Sequence, residues 1–289
     1  MTASIAPSLC CRIAEELTTA ARVRRPVVPL STRYPALTLD DAYAIQTELR
    51  AIRLANGARL VGHKIGATSE PIRTMFGIDH PDFGFITDQM LLPNDARIDG
   101  GRLIAPKVEG EIAFRLGADL RGDTVTARQV LDHAVEVVPV LEVLDSRIAN
   151  WAIRLVDTVA DNASSAMVVC GAAVPIAGAD LAAEQMTLDV DGLTYIGQGS
   201  AVLGHPAESV AWLARLLAGT GQGLRAGDLV LAGAWTAAVD LAAGSDARAS
   251  FSSLGSVSLT MSQNPGSARA SEPEVTRAHR IGTSAPPGT

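Results

Sequence analysis

Apolar positions follow a helical period in the first part of the chain and a strand period in most of the rest. Residues 8 to 23 read as one helix. A second is expected from Thr38 to Asn56, with Thr38 as its cap, Asp40 and Asp41 in its first turn and Gly57 just past its end. Ala42, Ile45, Leu49 and Ile52 are spaced by 3, 4 and 3 positions, which gathers them on one helical face. Beyond Gly57 short runs of Val, Ile and Leu alternate with Gly, Asp, Asn and Pro, a pattern of strands and turns. Strands are expected at roughly 108–116, 135–144, 166–170, 186–191, 229–233 and 247–261. One later helix stands out, PAESVAWLARLLA from Pro206 to Ala218, with Val210, Leu213 and Leu217 on one face and the Gly-rich GTGQG after it.

This order, a helical head and a mostly β body, lacks the βαβα alternation of a dinucleotide-binding domain. No internal repeat is visible. From Gln263 the chain has almost no large apolar residues and many Pro, Ser, Gly and Ala, so residues 263–289 are expected to form a disordered tail.

Composition narrows the function classes. The 289 residues are 47% hydrophobic, enough to fill a sizeable core. A formal charge of -7 offers no broad cationic surface for nucleic acid. Arg12, Glu15 and Glu16 interrupt what would be the apolar region of a signal peptide, and no run of about 18 uncharged apolar residues follows. A soluble cytoplasmic protein is therefore expected. Cys10, Cys11 and Cys170 show no CxxC spacing and are expected to be reduced, with Cys170 packed in the apolar run MVVCG.

The candidate chemistry centres on acids. In PKVEGEIAF, Glu109 and Glu111 lie two apart on a strand, so both carboxylates take the same face. Two like charges side by side need solvent, a cation or a raised pKa. Glu142 sits in the middle of the apolar run VVPVLEVLD, where an unpaired carboxylate is costly to bury. Its partner is either an arginine such as Arg147 or a metal shared with Glu109 and Glu111. Three carboxylates without a nearby His or Cys make a hard oxygen site, which suits Mg²⁺ or Mn²⁺ rather than Zn²⁺.

Lys64 and Lys107 are the two lysines among 24 basic residues. Lys64, in VGHKIGATS, is placed to leave a strand end for a cleft, where an ammonium can exchange its proton and a guanidinium cannot. Asp82 in HPDFG is expected in a turn between two strands. The polar cluster DTVADNASS at 157–165 reads as either a capping or a binding loop. No two histidines share metal-ligand spacing, and no GxSxG, P-loop or dinucleotide fingerprint occurs.

Taken together, GHKIG, PDFG, PKVEGEIAF, LEVLDSRIANW, DTVADNASS, VLGHP and SLGSV resemble the 2-keto-4-pentenoate hydratase / 4-oxalocrotonate decarboxylase family of the fumarylacetoacetase-like superfamily, over about residues 10–262. The resemblance implies an α+β fold, a fumarylacetoacetase-type mixed β-roll core with an N-terminal helical segment. The expected division is a helical segment over 1–60, a catalytic domain over 61–262 and the tail. By motif it implies metal ligands at Glu109, Glu111 and Glu142, acid-base residues at Lys64 and Asp82, and a substrate contact at Ser164. Arg147 is either a further substrate contact or an ion-pair partner. The implied cofactor is Mg²⁺ or Mn²⁺. The implied partners are a small 2-hydroxydienoate or 2-oxo acid, other copies of the chain, and a sister pathway enzyme.

The activity so implied is addition of water to 2-hydroxypenta-2,4-dienoate, or to a substituted relative, to give a 4-hydroxy-2-oxo acid. Its rival is decarboxylation of 2-oxohex-3-enedioate at the same metal site. GHKIG and the run from Arg147 to Ser165 look more like a hydratase; VLGHPAESVA and the TAAV after Trp235 look nearer the decarboxylase. Hydrolysis of a carbon-carbon bond would need a histidine beside the metal acids, for which His63 and His80 are the nominees. A non-catalytic subunit would have no need of the metal acids and Lys64.

Overall fold

The computed structural model describes residues 5–262 apart from 71, 72, 75, 76 and 177. The expected disordered tail lies outside the described residues. The chain opens with α1 (Pro7–Val23), a short α2 (Leu30–Arg33) and α3 (Leu39–Ala55). Thr38 caps α3 reciprocally: its hydroxyl accepts from the Asp41 amide at 3.2 Å, and the Asp41 carboxylate accepts from the Thr38 amide at 3.0 Å. Ala42, Ile45 and Leu49 turn inward onto Ile13, Ala14 and Leu17 of α1. Phe85, Ile148, Val159 and Ala160 from the β body complete this cluster. The helical head is thus fastened to the strand that follows Asp82.

Among the described residues, fourteen strands form two sheets. The larger contains β1 (Leu60–Gly66), β2 (Asp82–Thr87), β3 (Leu91–Pro93), β5 (Lys107–Leu116), β6 (Ala134–Leu144), β7 (Ser165–Cys170) and β11 (Leu229–Leu231), in the order β2-β1-β11-β5-β6-β7-β3. Two short strands attach to it, β8 (Val174–Pro175) on β6 and β12 (Val239–Asp240) on β5. The smaller sheet runs β10 (Leu193–Gln198), β9 (Gln185–Val190), β13 (Asp246–Phe251), β14 (Gly255–Ser262), β4 (Ala96–Asp99). Both are mixed, since β1 with β11, β3 with β7 and β4 with β14 are parallel and the other pairs are antiparallel. Later helices among the described residues include α4 (Ala127–His133), α5 (Leu155–Ala160) and α6 (Pro206–Ala218). No described helix is long and apolar enough to cross a membrane.

The sheets stack through Val108, Ile112, Leu141 and Val143 of the larger and Met186, Leu188, Ala249 and Val257 of the smaller. The approach is close enough that a Cβ on Gly110 would lie 2.5 Å from Met186 Sδ. Alternation then puts Glu109, Glu111 and Ala113 of β5 on the opposite face, together with Val138, Val140 and Glu142 of β6.

Three sequence expectations change. The run 247–261 is two strands, not one, because the chain reverses at Ser252–Leu254 and Gly255 takes φ 88°. Asp82 is not in a turn but opens β2, directly across from Gly66. The cluster 157–165 is not one loop, since its first residues belong to α5.

Candidate active site

β5 and β6 pair with Glu109 directly across from Glu142. With Glu111 two residues along, three carboxylates converge on one sheet face, and one oxygen from each lies within 4.8 Å of the others. Glu111 and Glu142 have no solvent exposure, while Glu109 keeps some. Such a grouping on adjacent strands is repulsive unless a cation holds it.

One cation is supplied by β1. Lys64 Nζ lies 3.3 Å from Glu142 Oε2 and donates to the Ala163 carbonyl at 3.4 Å. Burial would pull this ammonium down. The fields of Glu142, Asp82, Glu109 and Glu111 outweigh it and hold the pKa above the usual lysine range. Asp82 reaches the same space from β2. A Cβ built on Gly66 would fall 2.3 Å from Asp82 Oδ1 and 3.4 Å from Lys64 Nζ, so glycine is required there for the two groups to adjoin. Burial raises the Asp82 carboxyl, Lys64 lowers it and Glu142 raises it again, with a net upward shift.

Lys64 alone does not balance Asp82, Glu109, Glu111 and Glu142. Burial pushes Glu109 up to about 7, against the pull of Lys64 and with the push of Glu142 and Asp82. Glu111 rises further, through burial and then Glu142. Glu111 Oε2 accepts from the Gly233 amide at 2.6 Å, but Glu111 Oε1 and both Glu142 oxygens are buried without a hydrogen bond. Orphaned oxygens on Glu111 and Glu142, converging with a carboxylate oxygen of Glu109, fit a hard divalent cation, which would satisfy them and neutralise the excess charge.

The edge of this space is a strained loop. Asn162, Ala163 and Ser164 have φ of 55°, 49° and 58°, three consecutive residues in the left-handed region. Asn162 holds them there: its side chain accepts from the Phe85 amide at 2.8 Å and donates to the Phe85 carbonyl at 3.0 Å. Gly84 makes room, since a Cβ there would meet Asn162 O and Oδ1 at 2.9 Å. The result is that the Ala163 carbonyl faces Lys64. Ser164 is buried, with its hydroxyl 3.3 Å from that of Thr158.

Arg147 lies apart from the glutamates. Of the two roles open to it, the structure shows the ion pair: its Nε is 2.5 Å from Asp161 Oδ1, and its backbone amide donates to Asp161 Oδ2 at 2.9 Å. Its remaining guanidinium nitrogens bond the carbonyls of Asp145, Ser165 and Asp161. Four of its five N–H donors are thus engaged within the chain. Burial pushes Asp161 up to about 6, with Arg147 pulling it back. His63 and His80 do not join the carboxylates: His63 lies on the other face of β1, and His80 stacks on Trp212. Cys170 ends β7 half-buried, its thiol pushed up to about 11 by burial.

Sequence reasoning missed Gly66, Gly84 and Gly233. The first two stand inside the quoted motifs GHKIG and PDFG, where a small residue next to a polar one was the available signal. Gly233 gives its amide to Glu111, and its φ of 113° together with the Thr68 side chain 2.5 Å from any added Cβ favours glycine there.

Comparison with known proteins agrees with this geometry. Residues 73–262 match the family of the fumarylacetoacetate (FAA) hydrolase C-terminal domain. The chain is 43% identical to 2-hydroxyhexa-2,4-dienoate hydratase of Comamonas testosteroni, over 80% of this chain and 89% of that one. It is 38% identical to 4-oxalocrotonate decarboxylase of Pseudomonas sp. (strain CF600), over 85% and 94%. Among solved structures, 4-oxalocrotonate decarboxylase from Pseudomonas putida G7, complexed with magnesium and adipate, superposes with a TM-score of 0.86 at 33% identity, covering 89% of this chain and 99% of that one. With its mixed sheets, its carboxylate cluster and these relatives, the chain belongs to the fumarylacetoacetate hydrolase family.

Proposed function

We propose that the chain is a divalent-metal-dependent lyase that adds water to 2-hydroxypenta-2,4-dienoate, or to a substituted 2-hydroxydienoate, giving a 4-hydroxy-2-oxo acid. The observation that carries this reading is the convergence of three carboxylates, two of them with unsatisfied oxygens, on a buried Lys64 that ion-pairs with Glu142, with buried Asp82 acting on Lys64 through its field. Glu109, Glu111 and Glu142 would hold the metal, Mg²⁺ or Mn²⁺ by the chemistry of an all-oxygen donor set. Such an ion supplies fixed positive charge for the carboxylate and C2 oxygen of a 2-oxo acid.

The chain's own residues handle the protons. Lys64, kept charged by four acids, starts as a proton donor rather than a base. It delivers a proton to C5 of the dienol while the enol O–H proton is lost, leaving a 2-oxo acid with an electrophilic C4. Asp82, its carboxyl raised by burial, accepts the proton of the water that attacks C4. A proton returned to C3 completes addition of one water. Ser164, on the left-handed loop beside Lys64, is the proposed substrate contact.

The decarboxylase reading stays in play because the superposed solved structure carries that name. The same acids would then hold the cation whose positive charge would stabilise the enolate left when CO₂ departs from 2-oxohex-3-enedioate. Purified protein with Mg²⁺ or Mn²⁺ is to be given 2-hydroxypenta-2,4-dienoate and, separately, 2-oxohex-3-enedioate. Water addition to the first is expected; CO₂ release from the second alone would replace hydratase by decarboxylase. A homo-oligomer belongs to the same reading, supported by edge strand β10, where Leu193 and Ile196 are 64% and 79% exposed. A complex with a sister pathway enzyme is a further proposal, which co-purification of the two would test.

A further inference from the structure

A second cavity lies on the opposite face of the β1–β2 hairpin from Lys64 and Asp82. Side chains alternate along β2, so Phe83 and Phe85 point away from the face that Asp82 and Gly84 share with Lys64. Helices α3 and α6 lean over these two rings and leave a cavity of about 450 Å³. That volume is within the range of small-molecule sites, roughly 300–1,000 Å³.

Its lining follows from helix periodicity. The inward face of α3 packs on α1, and a neighbouring stripe of Asp40, Tyr43, Thr47 and Arg50, spaced by 3, 4 and 3, is left to the cavity. Trp212 and Leu216 of α6 form the other wall. The walls offer flat ring faces: Tyr43 stacks on Phe83 at 4.7 Å and 20°, and His80 on Trp212 at 6.4 Å and 19°.

The charge in this cavity is uncompensated. No hydrogen bond or ion pair joins the Arg50 side chain to any described residue. Its neighbour His63 adds no second positive charge, since burial and the field of Arg50 hold that imidazole near 4, neutral. Asp40 lies ten residues earlier on α3, roughly 15 Å away along the axis. A guanidinium left without a partner at one end of an aromatic slot matches a carboxylate on a planar apolar body.

We propose that this cavity is a binding site for a small planar carboxylic acid, with the carboxylate on Arg50 and the ring between the Tyr43–Phe83 and Trp212 walls. The site is separate from the metal centre, and its ligand touches none of the three glutamates.

Titration calorimetry on the full-length, metal-free chain tests it, with 2-naphthoate and the uncharged 2-naphthalenemethanol as probes. The acid is expected to bind once per chain, about tenfold tighter than the alcohol. Arg50→Met should weaken the acid about tenfold and leave the alcohol within about twofold, while Arg50→Lys restores part of the preference. Trp212→Leu should weaken both probes, and Glu111→Gln, in the metal centre, neither. Absence of saturable binding, equal affinity of acid and alcohol, or loss of acid binding in Glu111→Gln each overturns the proposal. Should Arg50→Met fail to fold, the comparison of acid with alcohol in the unaltered chain decides. None of these readouts depends on turnover, so the result stands apart from the fate of the hydratase reading.

Discussion

Replacing Glu109 by glutamine should reverse the order of stability between the variant and the unaltered chain according to whether metal is present. In the metal-free protein the folded chain keeps the Glu109 proton up to about pH 7, against 4.5 for an unperturbed glutamate. The folded state therefore binds more protons than the unfolded state between those values. The stability contributed by this carboxyl is complete below the lower value and lost as pH rises through the higher. The span corresponds to about 3 kcal/mol. A direct Coulomb figure agrees in size: like charges 4.8 Å apart repel by roughly 3.5 kcal/mol at an effective dielectric of 20. At pH 8 in EDTA, Glu109→Gln should thus be more stable by about 2–3 kcal/mol, which for a chain of this length raises Tm by roughly 5 °C. At pH 5 the difference should nearly vanish. With Mg²⁺ at a thousandfold excess over Kd the order inverts, since the filled site then adds about 4.1 kcal/mol to the unaltered chain and little to the variant. Scanning calorimetry at both pH values, with EDTA and with Mg²⁺, reads all four conditions. A variant that is less stable than the unaltered chain in EDTA at pH 8, or equally stabilised by Mg²⁺, refutes the reasoning.

Lys64→Met should lower kcat for dienoate hydration by about 10²–10⁴ while Mg²⁺ still raises Tm, because the proton donor is lost and the three carboxylates remain; a kcat within tenfold of the unaltered value would remove Lys64 from the chemistry. Gly66→Ala places a methyl 2.3 Å from Asp82 Oδ1, so the carboxylate must swing away. The expected result is a kcat reduced by more than about tenfold with Mg²⁺ affinity unchanged, measured by steady-state kinetics and calorimetry. Arg147→Met leaves Asp161 buried without its partner and should cost about 3–5 kcal/mol in urea unfolding. A variant with unchanged stability and a strongly raised KM would instead return Arg147 to the substrate.

Much of the site was legible because its signals are local. Period-two spacing is enough to put Glu109 and Glu111 on one face, and an acid in the apolar run around Glu142 announces a partner before any fold is known. The same holds for α3, whose cap at Thr38 and apolar stripe are short-range features. Residue type also drew attention to Lys64, in a chain that otherwise prefers arginine, and the structure brings it to Glu142.

What the tertiary structure alone decided are the relations between segments distant in sequence. Spacing cannot say that Glu142 stands directly across from Glu109, because register depends on how β5 and β6 meet. Nor can it choose between Glu142 and Asp161 as the partner of Arg147, since both acids are close enough in sequence and only packing brings one to the guanidinium. The insertion of β11 between β1 and β5 delivers the Gly233 amide to Glu111 from 122 residues away. The left-handed turn at 162–164 exists because Phe85 of a separate strand offers Asn162 both an amide and a carbonyl. Side-chain chemistry and periodicity are properties of the chain taken a few residues at a time, and they pointed to the three glutamates and Lys64, while Asp82 entered through the family resemblance alone. The electrostatic state of that group, with one ammonium among four buried acids and oxygens left without partners, arises only when four strands converge and exclude water.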